Sequence, residues 1–530
     1  MEIRTAQKGV TLGERFVQTA RRNWARRCMC DSAGRSFTYG QALVNSIALS
    51  GVIERLSSGQ EKVGILLPPS TAAAVSNIAV TLAGKVPVNL SYAASEEPAA
   101  SAIEQCGIEA VVSSRSFLKK LPRFGDLAGL VFLEDIVADI GNAAKARAYL
   151  KARFSPADSV VRGGADGDDL AAVIFSSGAT GRPKGVMLSH NNILSNIDSL
   201  VSAFALRPSD NLCGVLPFFH SFGFTCALWV ALLNGVSASY APDPLDCGTV
   251  GRLARENRST VLFVAPSFLS SYIRRVQPDD FATLRAVVAG AAKLKKSLAD
   301  SFEAKFGIRP QAGYGVTELS PVVALNIEPH QAAGLYRPGS KEGTVGRPIP
   351  GVEVKIVEPE TGEPLPAGRE GLLMVKGPNV MLGYLNQPEQ TSEVVKDGWY
   401  NTGDIASIDA DGFLKITDRL SRFSKIGGEM VPHIGIEEVY LQALGTDEQV
   451  VAVTGVPEPR KGEELVVLYV DKAGDPDKLH DIISKSNLPN LWKPRRDSYI
   501  RVESIPALGS GKLSVGQLRK MALSAKNAGI

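Results

Sequence analysis

Two apolar rhythms alternate along the chain: short runs closed by Gly or Pro that predict strands, and residues three and four apart that predict helices between them. Residues 36–56 carry Leu43, Ile47 and Ile53 near helical spacing, and 63–67 follow as a strand. Residues 72–83 place Val75, Ile78, Ala79 and Leu82 on one helical face, with Gly84 as the stop, and 86–88 are extended again. A helix over 98–105, a break at Gly107 and a strand over 110–113 repeat the theme. That alternation predicts a parallel sheet covered by helices. A helix opening at Asn191 sets Ile193, Leu194, Ile197, Leu200, Val201 and Phe204 in one stripe, and strands are predicted over 171–175, 260–264 and 284–289.

The texture changes twice. From 343 to 417 short β segments, such as 352–357 and 371–375, alternate with turns and a hairpin around Asp411-Gly412, which predicts a small β subdomain. From Arg419 a helix over 436–444, strands over 450–453 and 465–470, a helix over 477–486 and a terminal helix after Lys512 predict a compact α+β unit. The expected class is α/β: a large N-terminal domain of layered α/β subdomains (1–418) that includes the β subdomain (342–417), followed by a small C-terminal domain (419–530). A chain of 530 residues exceeds what one core supports.

Composition narrows the function classes. Hydrophobic content of 44% and charged content of 21% are those of an ordinary globular chain. A formal charge of +3 is too small to predict a nucleic-acid partner. Six cysteines, only Cys28 and Cys30 being close together, fit neither a disulfide framework nor a paired zinc motif, so a reducing cytoplasm is expected. The first residues lack the apolar core of a signal peptide. Residues 211–240 hold no Asp, Glu, Lys or Arg, but Pro217, His220 and Asn234 interrupt them; a buried wall is expected there rather than a membrane span.

Candidate chemistry gathers in a few strings. Residues 171–185, AAVIFSSGATGRPKG, end an apolar strand in a loop of small residues. Free backbone N–H groups, the hydroxyls of Ser176, Ser177 and Thr180, the turn glycines Gly178 and Gly181, and the charge of Lys184 suit a triphosphate. A proline before the lysine separates it from the Walker A pattern, and the plain alternative is a Gly- and Ser-rich strand-to-helix turn. The strand over 284–289 runs into Gly290 and Ala291, where ligands collect in doubly wound sheets. Tyr314, Gly315, Thr317 and Glu318 place an aromatic, a hydroxyl and a carboxylate on one loop; Glu318 with Thr180 is the candidate Mg2+ ligand set, against a merely solvated acid. Asp404 has two oxygens for the two hydroxyls of a ribose, with Arg419 one hairpin further on and a surface salt bridge as the plain alternative. Gly427-Gly428 permits close approach to a ligand. Lys512 stands between a Gly-Ser-Gly run and the terminal helix. His220 opens the uncharged stretch as a candidate catalytic group, beside the reading of a buried histidine satisfied by backbone.

The string Ser-Ser-Gly-Ala-Thr-Gly-Arg-Pro-Lys-Gly resembles the signature of the adenylate-forming superfamily of acyl-CoA synthetases, adenylation domains and luciferases. The resemblance implies ATP, Mg2+ on Glu318, Tyr314 against adenine, Thr317 on the α-phosphate, Asp404 and Arg419 on ribose, and Lys512 as the catalytic lysine. It also implies that the C-terminal domain is mobile about a hinge near Arg419, and that Gly427-Gly428 lines a pantetheine tunnel. Departures are Asp418 where glycine is usual, Ser421 at the hinge and Ala179 where threonine is common. Segments such as VGILLPP, LPFFHSFGF, GPNVMLGYL and FSKIGGEMV look most like the synthetase half of bifunctional acylglycerophosphoethanolamine acyltransferase/acyl-acyl carrier protein synthetases, with the acyltransferase half not expected here.

The implied activity is ATP-dependent activation of a fatty acid as acyl-AMP and transfer to the phosphopantetheine thiol of CoA or acyl carrier protein. An uncharged wall would leave the ammonium of an amino acid unpaired, which favours an acyl chain. The alternatives are a CoA ligase for an aryl or short-chain acid, a synthetase that stops at the adenylate, and a non-catalytic acyl- or nucleotide-binding protein. Lys493, Arg495 and Arg496 are weighed as a docking patch for acyl carrier protein against three merely exposed cations. A peripheral membrane contact is left open.

Overall fold

The computed structural model describes residues 9–93, 95–176, 183–327, 330–332, 335–337, 339–427, 429–446, 448–506 and 513–527. The large domain is α/β, as the rhythm of the sequence predicts. Its central sheet runs in parallel through Gln311–Gly315, Ala286–Ala289, Val261–Val264, Asn211–Gly214, Ser237–Tyr240 and Arg27–Asp31. Antiparallel strands close its edges: Val322–Leu325 and Arg347–Pro348 at one side, Ser36–Thr38 at the other. A second sheet, of Val86–Asn89, Lys62–Ile65, Val111–Ser113 and Leu130–Phe132, is wholly parallel. Such strands are covered on both faces, so they read as continuous apolar runs; Val261–Val264 is buried at every position.

The helices begin where hydroxyl caps place them. Ser189 accepts from the Asn192 amide and so starts helix His190–Phe204 one residue before the expected Asn191. Helix Thr71–Leu82 is buried nearly all round, which explains its almost entirely apolar and small composition. The uncharged stretch is a buried wall, as expected. It contains a π-helix, Gly223–Trp229, in which the Val230 amide donates to the Thr225 carbonyl five residues back. The Thr225 hydroxyl ties this segment to the Ser320 carbonyl at 3.0 Å. Among the described residues no helix is long and apolar enough to cross a membrane.

Glu353–Val357, Gly371–Lys376, Trp399–Ile408, Val395–Lys396 and Leu414–Arg419 form the β subdomain's sheet. Its core is not separate: Ile356, Leu373, Val375 and Tyr400 join the main core, while Val357, Leu372 and Ile405 on the other side pack with Leu420 and Phe423. The C-terminal domain shows the two-residue period of a sheet buried on both faces. Val451 and Val453, with Val467 and Tyr469, enter one core; Ala452, with Val466 and Leu468, enters a second under Leu518 and Ala522 of helix Val515–Asn527. Contacts across the two domains include the ion pairs Lys293–Glu438, at 2.5 Å, and Lys425–Glu360.

Candidate functional site

One cleft of about 3080 Å³ opens beyond the C-terminal ends of the central parallel strands. It brings together Ser176, Lys184, His220, Gly290, Ala291, Tyr314, Gly315, Thr317, Glu318, Asp404 and Arg419, which come from sequence segments spread over more than two hundred residues. Ser177, Gly178, Thr180, Gly181, Gly428 and Lys512 lie outside the described residues. Leu513 and Ser514, just after Lys512, border the cleft. Gly427 does not line it: it turns the hairpin between Phe423–Ile426 and Glu429–Pro432 with a positive φ of 59°, and its amide donates to the Lys461 carbonyl.

The candidate phosphate loop does not lead into a helix. Leu170–Ser176 pairs antiparallel with Lys184–Ser189, Ser176 opposite Lys184, so the segment between joins the strands of a hairpin. No helix N-terminus follows it directly; Lys184 is held on a strand whose other edge pairs with Gly383–Tyr384. The Lys184 Nζ lies 5.0 Å from the centre of the Tyr384 ring, and the Tyr384 hydroxyl donates to Glu318 Oε1 at 2.9 Å. Burial first, and the Glu318 charge second, hold the Tyr384 phenol protonated far above its ordinary range. Glu318 is therefore not a solvated loop acid. Its carboxylate is oriented by a phenol whose ring also faces the ammonium.

A second polar cluster forms where strands Trp399–Ile408 and Leu414–Arg419 run side by side. Asp404 and Arg419 are opposite one another in that antiparallel ladder, and Arg419 Nε donates to Asp404 Oδ1 at 3.0 Å. The Tyr314 hydroxyl donates to Oδ2. Asp404 is 2% exposed and the Arg419 side chain 56%, so the pair joins a buried carboxylate to a guanidinium open to the cleft. The Asp404 charge raises the Arg419 guanidinium above its usual value, and burial followed by Asp404 raises the Tyr314 phenol. Gly315 sits so close to the next strand that a Cβ would fall 2.1 Å from the Pro321 carbonyl oxygen.

The opposite side of the cleft is apolar. Phe222 stands over Gly290, where an added Cβ would lie 3.1 Å from its ring, and it meets Phe263 edge-on at 5.8 Å. Ala291 adopts a positive φ of 69°, a strained conformation for a residue with a Cβ, at the end of strand Ala286–Ala289. Ser221 and Thr317 share a hydroxyl hydrogen bond at 3.1 Å where the two sides meet. His220 is not a buried histidine: it is exposed to the cleft, with the Phe219 ring 4.4 Å away.

Tyr384, Phe222 and Ser221 are absent from the residues singled out as site candidates by sequence. Each lies in a segment that drew notice there, but nothing local assigns it a partner. Lys493, Arg495 and Arg496 have internal partners: Lys493 donates to the Ser484 and Ser486 carbonyls, Arg495 faces Glu464 at 3.7 Å, and Arg496 pairs with Asp477 at 2.7 Å.

The fold is shared with solved proteins along the whole chain. ATP-bound MatB from Rhodopseudomonas palustris superimposes with a TM-score of 0.78 at 25% identity, covering 97% of this chain and 99% of that one. The o-succinylbenzoate CoA synthetase MenE from Bacillus subtilis, complexed with its acyl-adenylate, gives 0.78 at 21% identity over 97% and 99%. The architecture is that of adenylate-forming enzymes. The AMP-binding enzyme profile matches residues 16–385, and the chain belongs to that family. Curated relatives include a feruloyl-CoA synthase of Amycolatopsis sp, 32% identical over 67% of this chain and 70% of its own length. A long-chain-fatty-acid–CoA ligase of Salmonella typhimurium is 34% identical over 66% of this chain and 62% of its own length.

Proposed function

We propose that the protein is an AMP-forming acid–thiol ligase whose acid is a fatty acid and whose acceptor is a phosphopantetheine thiol. The observation that carries this reading is the two-sided cleft: mutually paired polar groups around the buried Asp404 and Tyr384 along one side and an uncharged aromatic wall along the other. Membership of the AMP-binding family and likeness to acid–CoA ligases support it.

In the first reaction a carboxylate oxygen attacks the α-phosphorus of ATP and pyrophosphate leaves. In the second, the thiolate attacks the acyl carbon and AMP leaves. Lys184 and Lys512 offset charge on the phosphates during the first step. Asp404 receives the ribose hydroxyls with Arg419 beside it, Tyr314 packs against adenine, and Thr317 contacts the α-phosphate. Glu318 would hold a Mg2+ through its carboxylate, the chemistry that ion favours; among the described residues no cluster of three or more His, Cys, Asp or Glu offers a fuller cage. When bound, Mg2+ neutralises phosphate charge. The reading sets the domain boundary at 418/419. The C-terminal domain then pivots near Arg419, because Lys512 is required for one step and the Gly427-Gly428 segment for the other.

The acceptor is CoA or holo-acyl carrier protein. The internal partners of Lys493, Arg495 and Arg496 argue against the docking patch, and Arg495→Glu with Arg496→Glu should leave the apparent KM for carrier protein unchanged. An aryl acid is the second reading, favoured by the Phe222–Phe263 edge and by the feruloyl-CoA synthase relative. The non-catalytic alternative requires degenerate positions, whereas Lys184, Glu318, Asp404 and Lys512 are all present. A fatty-acid substrate also implies a peripheral membrane contact. Thioester formation with ATP and a panel of fatty and cinnamic acids, offering CoA and holo-acyl carrier protein in parallel, tests the proposal. Long-chain acids should give the highest kcat/KM, and preference for cinnamic acids would select the second reading.

A further inference from the structure

We infer that helix Asn142–Phe154, together with the turn after helix Leu12–Arg22, forms a docking face for an anionic lipid bilayer. The inference rests on the membrane contact named above and supplies its location. The chain's small net charge conceals a local concentration. Residues 142–157 carry Lys145, Arg147, Lys151 and Arg153 and no acid; residues 15–30, between Glu14 and Asp31, carry five arginines, of which Arg15 is paired with Asp198 at 2.9 Å.

The fold locks these two segments together. Arg21 Nε donates to the Ala152 carbonyl at 2.7 Å and its Nη2 to the Ser155 carbonyl at 2.5 Å, which satisfies open carbonyls at the end of the helix. The Trp24 ring meets Tyr149 edge-on at 5.9 Å, and the Arg153 guanidinium lies 5.1 Å over Trp24.

Ala148 and Ala152 turn inward and are buried. With 3.6 residues per turn, Leu150 and Phe154 share the opposite face, with Arg147 and Arg153 at its borders. Leu150 is 56% exposed and Phe154 74%, the highest value for a large apolar side chain among the described residues. Acids lie nearby, but outside this face in sequence: Asp139 and Asp158 flank the helix, and Asp135 is paired with Arg115. Exposed aliphatic and aromatic groups bordered by arginines suit acyl chains beneath phosphate headgroups, whereas a nucleic acid would use the cations and leave Leu150 in water. Lys145, on the same helix but on the side of Ala148 and Ala152, lines the cleft.

The test is cosedimentation of the full chain with vesicles of phosphatidylcholine containing one-third phosphatidylglycerol, against pure phosphatidylcholine, with no substrate present. Failure of docking is thereby separate from failure of the substrate assignment. The chain should partition to the anionic vesicles and be released by salt. Leu150→Ser with Phe154→Ser should weaken partitioning at least about tenfold, with ATP–pyrophosphate exchange on a short soluble acid unchanged. Arg147→Gln with Arg153→Gln should weaken it about fivefold per cation. Equal partitioning to both vesicle types, parent-like binding by both double variants, or equally tight binding to a DNA duplex would overturn the inference.

Discussion

The two sides of the cleft are built on opposite terms. On the polar side, described groups pair with one another: Tyr314 and Arg419 on Asp404, Tyr384 on Glu318. Such groups are oriented before ligand arrives, and removing Tyr314 or Arg419 leaves the buried Asp404 short of a bond. The apolar side is set chiefly by shape, Phe222 filling the space that Gly290 leaves. Changes on the first side should therefore cost rate or nucleotide affinity whatever the acid, and changes on the second should alter only which acid is used.

The sharpest attempt to break that contrast is Lys512→Ala. Acyl-AMP formation should fall by about 10²–10³ with every acid, by analogy with the loss of one preorganised group at developing charge, while thioester formation from supplied acyl-AMP should be spared. Asp404→Ala follows. Loss of charge-assisted bonds worth about 1.5–3 kcal/mol should raise the KM for ATP roughly 10- to 100-fold, and steady-state kinetics with two unrelated acids should show the same factor. Gly290→Val tests the other side. Its branched carbons would displace Phe222, lowering kcat/KM for a long acid about tenfold relative to a short one and leaving the KM for ATP in place; a change in the ATP constant would blur the two sides.

The smallest effect belongs to Asp418, beside the proposed pivot. Asp418 is buried, and burial pushes its carboxyl up to about 7, outweighing the Arg419 amide, which donates to it at 2.7 Å, and the Arg422 charge. Its unfolded value is about 3.9, so the folded chain holds the extra proton between those values; the stabilisation is complete below the unfolded value and is lost as pH rises through the folded one. Asp418→Asn cannot ionise and should reduce the fall in Tm between about pH 5 and about pH 8 by roughly 2 °C or more. An unchanged slope would refute this.

Much of this was legible in the sequence because local rhythm carries it. The alternation of strands and helices around Gly84 and Gly107, the β texture after 343 and the α+β texture after Arg419 follow from which faces must be buried. What escaped depends on partners far along the chain. An apolar strand entering a Gly- and Ser-rich loop reads alike whether a helix or a strand follows, so the hairpin of Leu170–Ser176 and Lys184–Ser189 stayed hidden. Tyr384 is 66 residues from Glu318, and Tyr314 is 90 from Asp404. The family resemblance supplied the role of Asp404; only the fold shows it buried. His220 was open to the opposite error, since an uncharged neighbourhood suggests burial while its ring faces the cleft.

The most direct test is a single-turnover reaction of enzyme, α-labelled ATP, Mg2+ and hexadecanoate without thiol. The account predicts that labelled hexadecanoyl-AMP accumulates on the enzyme with stoichiometric pyrophosphate and discharges to thioester and AMP when CoA or holo-acyl carrier protein is added. Failure of the fatty acid to release pyrophosphate, or release of AMP with no acyl intermediate, would contradict it.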